Sequence, residues 1–349
     1  TLKNLGSTFG YTRLTNAGFN TNDFDARFFT GPMVLDNVKL STQHRDVFFA
    51  QGYPLTITEN FQSTSRISLV GGCLGTIKRV DGVGFPDRTG IGGGYEELNK
   101  TNKYPSTTHL EIHGGDYRFI YGGGYNSDIG SLEGDLDSQG TYVKIQLDNI
   151  NSVDSSWYDV SQVFGGSAIN QGSSRPSSAT SGQIAGDTTV EIVSGSFGDI
   201  YAGSSNGSSS KRNGLILGDT HVTVGTEDGE AVNVNEIFGG SSNSTIGDDD
   251  VRLEANGYKP VKIGGDTYVT VNASTVGRDS DGNIHGAGDY DIVEGTTHVT
   301  LNGGSNFDWV FAGGMNSNYR EKAEINNMRE EEQAATITIN GGEWNEIYS

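Results

Sequence analysis

Imidazole and phenol side chains recur at a fixed place in a repeated five-residue segment. The segments are "THLEI" (108–112), "TYVKI" (141–145), "TTVEI" (188–192), "THVTV" (220–224), "TYVTV" (267–271), "THVTL" (297–301) and "ATITI" (335–339). Their second residues form the series His109, Tyr142, Thr189, His221, Tyr268, His298 and Thr336. Each segment alternates polar and apolar residues, so the second and fourth positions point away from the apolar face. Stacked in register, the second positions make a strip of rings suited to sugars, with His109, Tyr142, His221, Tyr268 and His298 as ligand-binding candidates. The alternative is a solvated ladder whose like side chains stack on one another and need no ligand. The fourth positions run Glu111, Lys144, Glu191, Thr223, Thr270, Thr300 and Thr338, with one lysine between two glutamates for mutual neutralisation.

A second series is acidic. Gly-Asp-Thr at 186–188, 218–220 and 265–267 places Asp187, Asp219 and Asp266 in one column, candidates for a metal site. Unit charges one strand spacing apart, about 4.8 Å, repel by about 1–3 kcal/mol. Calcium would offset this through oxygen ligands, with the acidic stretches "GDDD" (247–250) and "DSD" (279–281) nearby. The simpler alternative is an Asx turn, each carboxylate accepting backbone N–H groups at a corner while solvent screens the rest. The spacing matches neither an EF-hand loop nor a Gly-Asp nonapeptide calcium repeat. Enzymatic chemistry has little to work with: positive residues are scattered, and no nucleophile elbow, metal-ligand histidine pair or phosphate loop occurs. No catalytic residue is assigned.

These columns require strands to hold them, and the partners recur downstream. The copies are "FIYGGG" (119–124), "QVFGGS" (162–167), "DIYAGS" (199–204), "EIFGGS" (236–241), "NIHGAG" (283–288), "WVFAGG" (309–314) and a last "EIYS" (346–349). An early copy is "VFFAQG" (47–52), and "GIGGGY" (90–95) is a looser one. One column is aliphatic; the next is an aromatic ladder of Tyr121, Phe164, Tyr201, Phe238, His285, Phe311 and Tyr348. Two small residues follow, nearly always Gly or Ala. The distance from upstream strand to aromatic is 11 residues for Leu110–Tyr121, Val190–Tyr201, Ile337–Tyr348 and the early Val38–Phe49, and longer elsewhere. A connection of fixed minimal length that tolerates insertions is what stacked coils allow.

The expected fold is therefore all-β: a right-handed parallel β-helix, or β-solenoid, of about eight irregular coils with corner insertions. Its glycines mark bends where no side chain fits. A β-propeller is the alternative, but its blades need four strands and these repeats show two and a short third, as in "GLIL" (214–217) or "PVKI" (260–263). Residues 1–33 read as an N-terminal cap or entry segment and 34–349 as the solenoid. The stretch "YREKAEINNMREEEQAA" (319–335) reads as a helical excursion with a solvated face.

Composition agrees with a narrow core. Glycine makes up 52 of 349 residues and apolar residues only 33%, yet 15 Tyr, 15 Phe and 3 Trp are too many for a disordered chain. A net charge of -21 without a basic run argues against a nucleic-acid partner and an anionic membrane surface. No apolar run is long enough for membrane insertion. The single Cys73 forms no internal disulfide. The chain begins with Thr rather than Met and is expected to be a processed or excised piece of something longer.

Units such as "ITINGGEWNEIYS", "HLEIHGGDYRFIYGGGY" and "VFFAQGYPLTI" resemble the glycine-rich β-helical repeats of large secreted, adhesin-like surface proteins of anaerobic gut bacteria. The resemblance runs from about Val34 onward, specifies architecture better than activity, and carries over no catalytic residue. It implies a secreted or cell-surface, extracellular location, a pectate-lyase-like β-helix, and a non-enzymatic binding or stalk role toward glycans or surface proteins. An uncapped solenoid end adds end-to-end self-association into a filament as an alternative. A polysaccharide lyase or hydrolase is the third, requiring carboxylates gathered in a cleft by the insertions at 146–162 and 272–283.

Overall fold

The computed structural model describes residues 12–15, 18–20, 29, 31–41, 47–73, 105–125, 127–130, 135–147, 158–169, 182–206, 215–242, 262–277, 282–289, 291–315 and 335–348. These residues are all-β, with a single short 3-10 turn at Leu136–Ser138 besides the strands. Nineteen strands join one large parallel sheet. Every strand pairing among the described residues is parallel. Blades of antiparallel neighbours are thereby excluded, and the β-propeller with them.

Two ladders run through the sheet. The first takes Thr12–Thr15, Met33–Asp36, Leu55–Ile57, Thr107–Ile112, Gly140–Gln146, the start of Asp187–Tyr201, Thr220–Val224, Thr267–Val271, Thr297–Leu301 and Ala335–Ile339, each paired to the next. The second takes Val47–Phe49, Ile67–Val70, Tyr117–Tyr121, Val160–Phe164, the end of Asp187–Tyr201, Val232–Phe238, Asn283–His285, Phe307–Phe311 and Trp344–Tyr348. Parallel neighbours need a long crossover, and the second-ladder strand of each repeat lies within that crossover. Leu110, Val143, Val190 and Val222 of the first ladder share one buried cluster with Ile120, Val163, Ile200 and Ile237 of the second. The ladders therefore face each other across a core of stacked β-branched side chains. A third column, Ile129, Ile184, Ile216 and Ile263, buries beside short parallel strands at Leu215–Ile216, Lys262–Ile263 and Ile292–Val293.

The early repeats depart from the spacing. Val38 is expected to head the strand before Phe49, but Met33–Asp36 takes that place. Val38 instead precedes Lys39–Ser41, which belongs to a separate sheet with Gly18–Asn20 and Gln62–Ser63. A further repeat follows, Leu55–Ile57 with Ile67–Val70. Its Val70 aligns with Phe49 and Tyr121, and an aliphatic residue in the aromatic column hides the match in sequence. Pairing also reaches back past Val34 to Thr12. The copy at 90–95 and residues 319–334 of the expected helical excursion lie outside the described residues, while Ala335 opens a strand.

The corner glycines answer to close approach rather than to left-handed backbone. A Cβ on Gly122 would lie 2.2 Å from the Gly165 carbonyl oxygen, and one on Gly286 2.0 Å from that of Ala312. Neither has a positive φ. Stacked corners here come nearer than a side chain permits.

A buried threonine ties the ladders together at each of these corners. Thr108, Thr141, Thr188, Thr220, Thr267 and Thr297 donate from Oγ1 to the carbonyls of Gly122, Gly165, Ala202, Gly239, Gly286 and Ala312, at 2.5–2.6 Å. Valine would match the shape but remove the donor. Thr220→Val is expected to lower stability by about 1–3 kcal/mol, since the buried Gly239 carbonyl loses that partner. Thr220→Ser should lose much less. Urea midpoints of the two variants check this, and equal midpoints would reduce the threonine to a space-filler.

Candidate functional site

The outward column rests on this scaffold. Alternation along each first-ladder strand buries Leu110, Val143, Val190, Val222, Val269 and Val299 and turns the neighbouring positions out. Parallel register aligns His109, Tyr142, Thr189, His221, Tyr268, His298 and Thr336 in one row. His109 and Tyr142 stack with ring centroids 4.8 Å apart and planes 23° off parallel. His221 and Tyr268 stack at 4.7 Å and 7°, and Tyr268 and His298 at 4.7 Å and 11°. Thr189 breaks the row between Tyr142 and His221. All five rings are exposed or half-buried.

Their polar atoms are engaged at the edges. The Tyr142 hydroxyl donates to Glu191 Oε2 at 2.7 Å, and Lys144 Nζ lies 3.8 Å from the same oxygen. Burial, then the hydrogen bond to Glu191, pushes the Tyr142 hydroxyl up, so it remains the donor. The Tyr268 hydroxyl donates to Asp266 Oδ2 at 3.2 Å and is pushed up by burial and by that aspartate. His298 Nδ1 lies 2.9 Å from Thr336 Oγ1. Asp266, His298 and Thr336 thus follow the order of an acid–base relay. At 3.6 Å, however, Asp266 and His298 are beyond hydrogen-bond length, and the Thr336 hydroxyl is turned to the Thr297 carbonyl.

No family model matches this chain, and no curated protein or solved structure is similar to it. The functional reading rests on geometry.

The aspartate column has its own compensation. Asp187 Oδ1 accepts the Asp219 N–H, Asp219 Oδ1 accepts the Asp266 N–H, both at 2.8 Å, and Asp266 Oδ1 accepts the Thr296 N–H at 2.7 Å. The bonds run from one repeat to the next, not within an Asx turn of the same corner. Each is charge-assisted, which offsets the repulsion along the column. Among the described residues, no group of three or more His, Cys, Asp and Glu is placed to hold a metal ion. Of the insertions expected to build a cleft, 148–157 and 278–281 lie outside the described residues, as do "GDDD" and Asp279–Asp281.

The inner aromatic ladder stacks from end to end. Successive centroids from Tyr121 through Phe164, Tyr201, Phe238, His285 and Phe311 to Tyr348 are 4.5–5.1 Å apart. Phe164, Phe238 and His285 are fully buried, whereas Tyr348 is 46% exposed.

A serine ladder escapes the sequence reading. Buried Ser167, Ser204 and Ser241 accept, at Oγ, the N–H groups of Gly124, Ser167 and Ser204. The next corner, Gly286-Ala287-Gly288, has no serine, and buried Asp291 replaces it: Oδ2 accepts the Ser241 N–H at 2.7 Å and Oδ1 the Gly288 N–H at 3.0 Å. Burial pushes Asp291 up to about 6. The repeated "GGS" and "AGS" triplets carry a signal for the serines; nothing in "GAGDYDIV" marks the aspartate.

Proposed function

We propose that this chain is a right-handed parallel β-helix that serves as a non-enzymatic extracellular module, binding glycans through its outward ring column and acting as a rigid stalk. The observation that carries the reading is the row of exposed and half-buried rings held in register on a stacked parallel scaffold. Two ladders that pair every repeat with the next support the solenoid, and the general crossover rule supports its hand. Rigid aromatic and imidazole groups with polar tips suit sugars, which offer C–H faces and hydroxyl rims together. The acidic surface favours neutral or amino sugars over anionic ones.

An array of neutral, amino and acidic oligosaccharides tests it. Neutral or amino members are expected to bind the wild type, and a variant with His109, Tyr142, His221, Tyr268 and His298 all replaced by alanine to bind at least about tenfold more weakly. A blank array would sink the reading.

A second reading, assembly of copies end to end, draws on the exposed Ile339, Ile347 and Tyr348 in Ala335–Ile339 and Trp344–Tyr348. A second copy docked there would cover that face. Electron microscopy across a concentration series separates filaments from short rods. Either form is expected to be indifferent to a calcium chelator, because the stacked aspartates already have N–H partners; rods that fall apart in chelator would make them metal sites.

A further inference from the structure

The break at Thr189 is the most informative place in the outward row. Rings stacked at 4.7–4.8 Å cover each other's faces and leave mainly edges to solvent. Across the Thr189 rung, two rings that lack a stacking partner on that side among the described residues, Tyr142 and His221, look toward one another. They stand two strand spacings apart, about 9.5 Å. A six-membered ring in van der Waals contact with both needs about 3.5–4 Å on each side plus its own thickness. The vacancy therefore has the height of one ring. Short, half-buried Thr189 floors it.

One further observation favours a ligand there. The Tyr142 hydroxyl is tied to Glu191 on the Thr189 strand, which fixes the ring as one wall. The Glu191–Lys144 pair borders one side of the rung and exposed Asp187 the other, placing hydroxyl acceptors and a donor around the rim.

We propose that the Thr189 rung is a saccharide slot that takes one β-linked, gluco-configured pyranose between Tyr142 and His221. The configuration follows from the two walls. In a β-glucopyranose every hydroxyl is equatorial, so both faces are C–H only and both can lie on rings. A galacto ring turns one hydroxyl axial and makes one of its faces polar. This assignment deepens the glycan-binding reading and rests on it.

The test is saturation-transfer NMR with titration of β-1,4-linked tetramers of glucose, N-acetylglucosamine and galactose. The gluco-configured tetramers are expected to bind at least about tenfold tighter than the galactose tetramer. Thr189→Tyr supplies the missing rung from the protein itself and should abolish binding without lowering the melting temperature. Thr189→Ala should bind as the wild type, while Tyr142→Ala and His221→Ala should each weaken binding about tenfold. If gluco tetramers bind Thr189→Tyr as well as the wild type, the slot is wrong but carbohydrate binding stands. If galactose binds equally well, the configuration assigned is wrong. If no tetramer binds the wild type, the slot fails, and a blank oligosaccharide array alongside it removes the glycan reading as well.

Discussion

Phe238→Ala is expected to destabilise the protein by about 3–5 kcal/mol, the range for truncating a fully buried aromatic. Phe238 is 0% exposed and stacks on Tyr201 at 4.5 Å and on His285 at 4.6 Å, planes within 6° on both sides. Its ring sits in a cluster separate from the aliphatic core, beside Phe164 and Tyr201. The backbone on either side is fixed by corner bonds: Ala202 N–H to the Phe238 carbonyl and Gly239 N–H to the His285 carbonyl, both 2.9 Å. A rigid corner cannot collapse into the void, which puts the loss toward the upper part of that range. Tyr348→Ala, at the exposed end of the same ladder, is expected to change stability by less than about 0.5 kcal/mol. Urea unfolding with an unchanged slope measures both. Equal effects at the two positions would mean that the ladder adds nothing beyond local contacts.

The sequence shows this ladder because aromatic residues recur immediately before small ones, and no other period explains them. The facing Val and Ile columns are legible for the same reason: alternation of period two marks one side of each strand. That parity also places Thr108, Thr141 and Thr188 on the same side as Leu110, Val143 and Val190. Their burial was open to inference, yet a hydroxyl on a β-branched residue suits exposed strand as well as buried. What decides between them is the corner carbonyl of Gly122, Gly165 or Ala202, brought near only by the fold. Direction is lost in the same way at the aspartates. Asp187 reads as a turn former, and only the pairing of repeats shows that its carboxylate reaches the next Asp219 N–H. Val70 fails differently, since a column recognised by aromaticity cannot register an aliphatic member.

His285→Phe is expected to stabilise the protein and to change how stability depends on pH. His285 is 1% exposed between Phe238 and Phe311, and neither ring nitrogen has a hydrogen-bond partner. An unpartnered buried polar atom costs about 1–3 kcal/mol, so a phenyl ring of similar size should gain about 2 kcal/mol at pH 7. Burial lowers the imidazole from 6.5 to about 4. With the folded-state value depressed, the unfolded chain binds more protons between those limits. Stability is then intact above 6.5 and lost as pH falls toward 4, by about 3 kcal/mol. Asp291 acts in the opposite sense. Its carboxyl is raised from 3.8 to about 6 by burial, so the folded state holds the proton longer and stability rises as pH falls through the same window. Asp159, also raised to about 6 chiefly by burial, adds to that slope. In the wild type the histidine offsets one of the two aspartates, so stability rises on acidification between pH 6 and 4 only about half as steeply as the aspartates alone would make it. Removing the histidine unmasks the aspartates, and His285→Phe should grow more stable on acidification. Asp291→Asn leaves His285 opposed by Asp159 alone and should give a nearly flat profile over the same range. Denaturant midpoints of the three proteins at pH 4, 5, 6 and 7 distinguish the cases, and parallel profiles for wild type and His285→Phe would show that the imidazole does not carry the acid sensitivity.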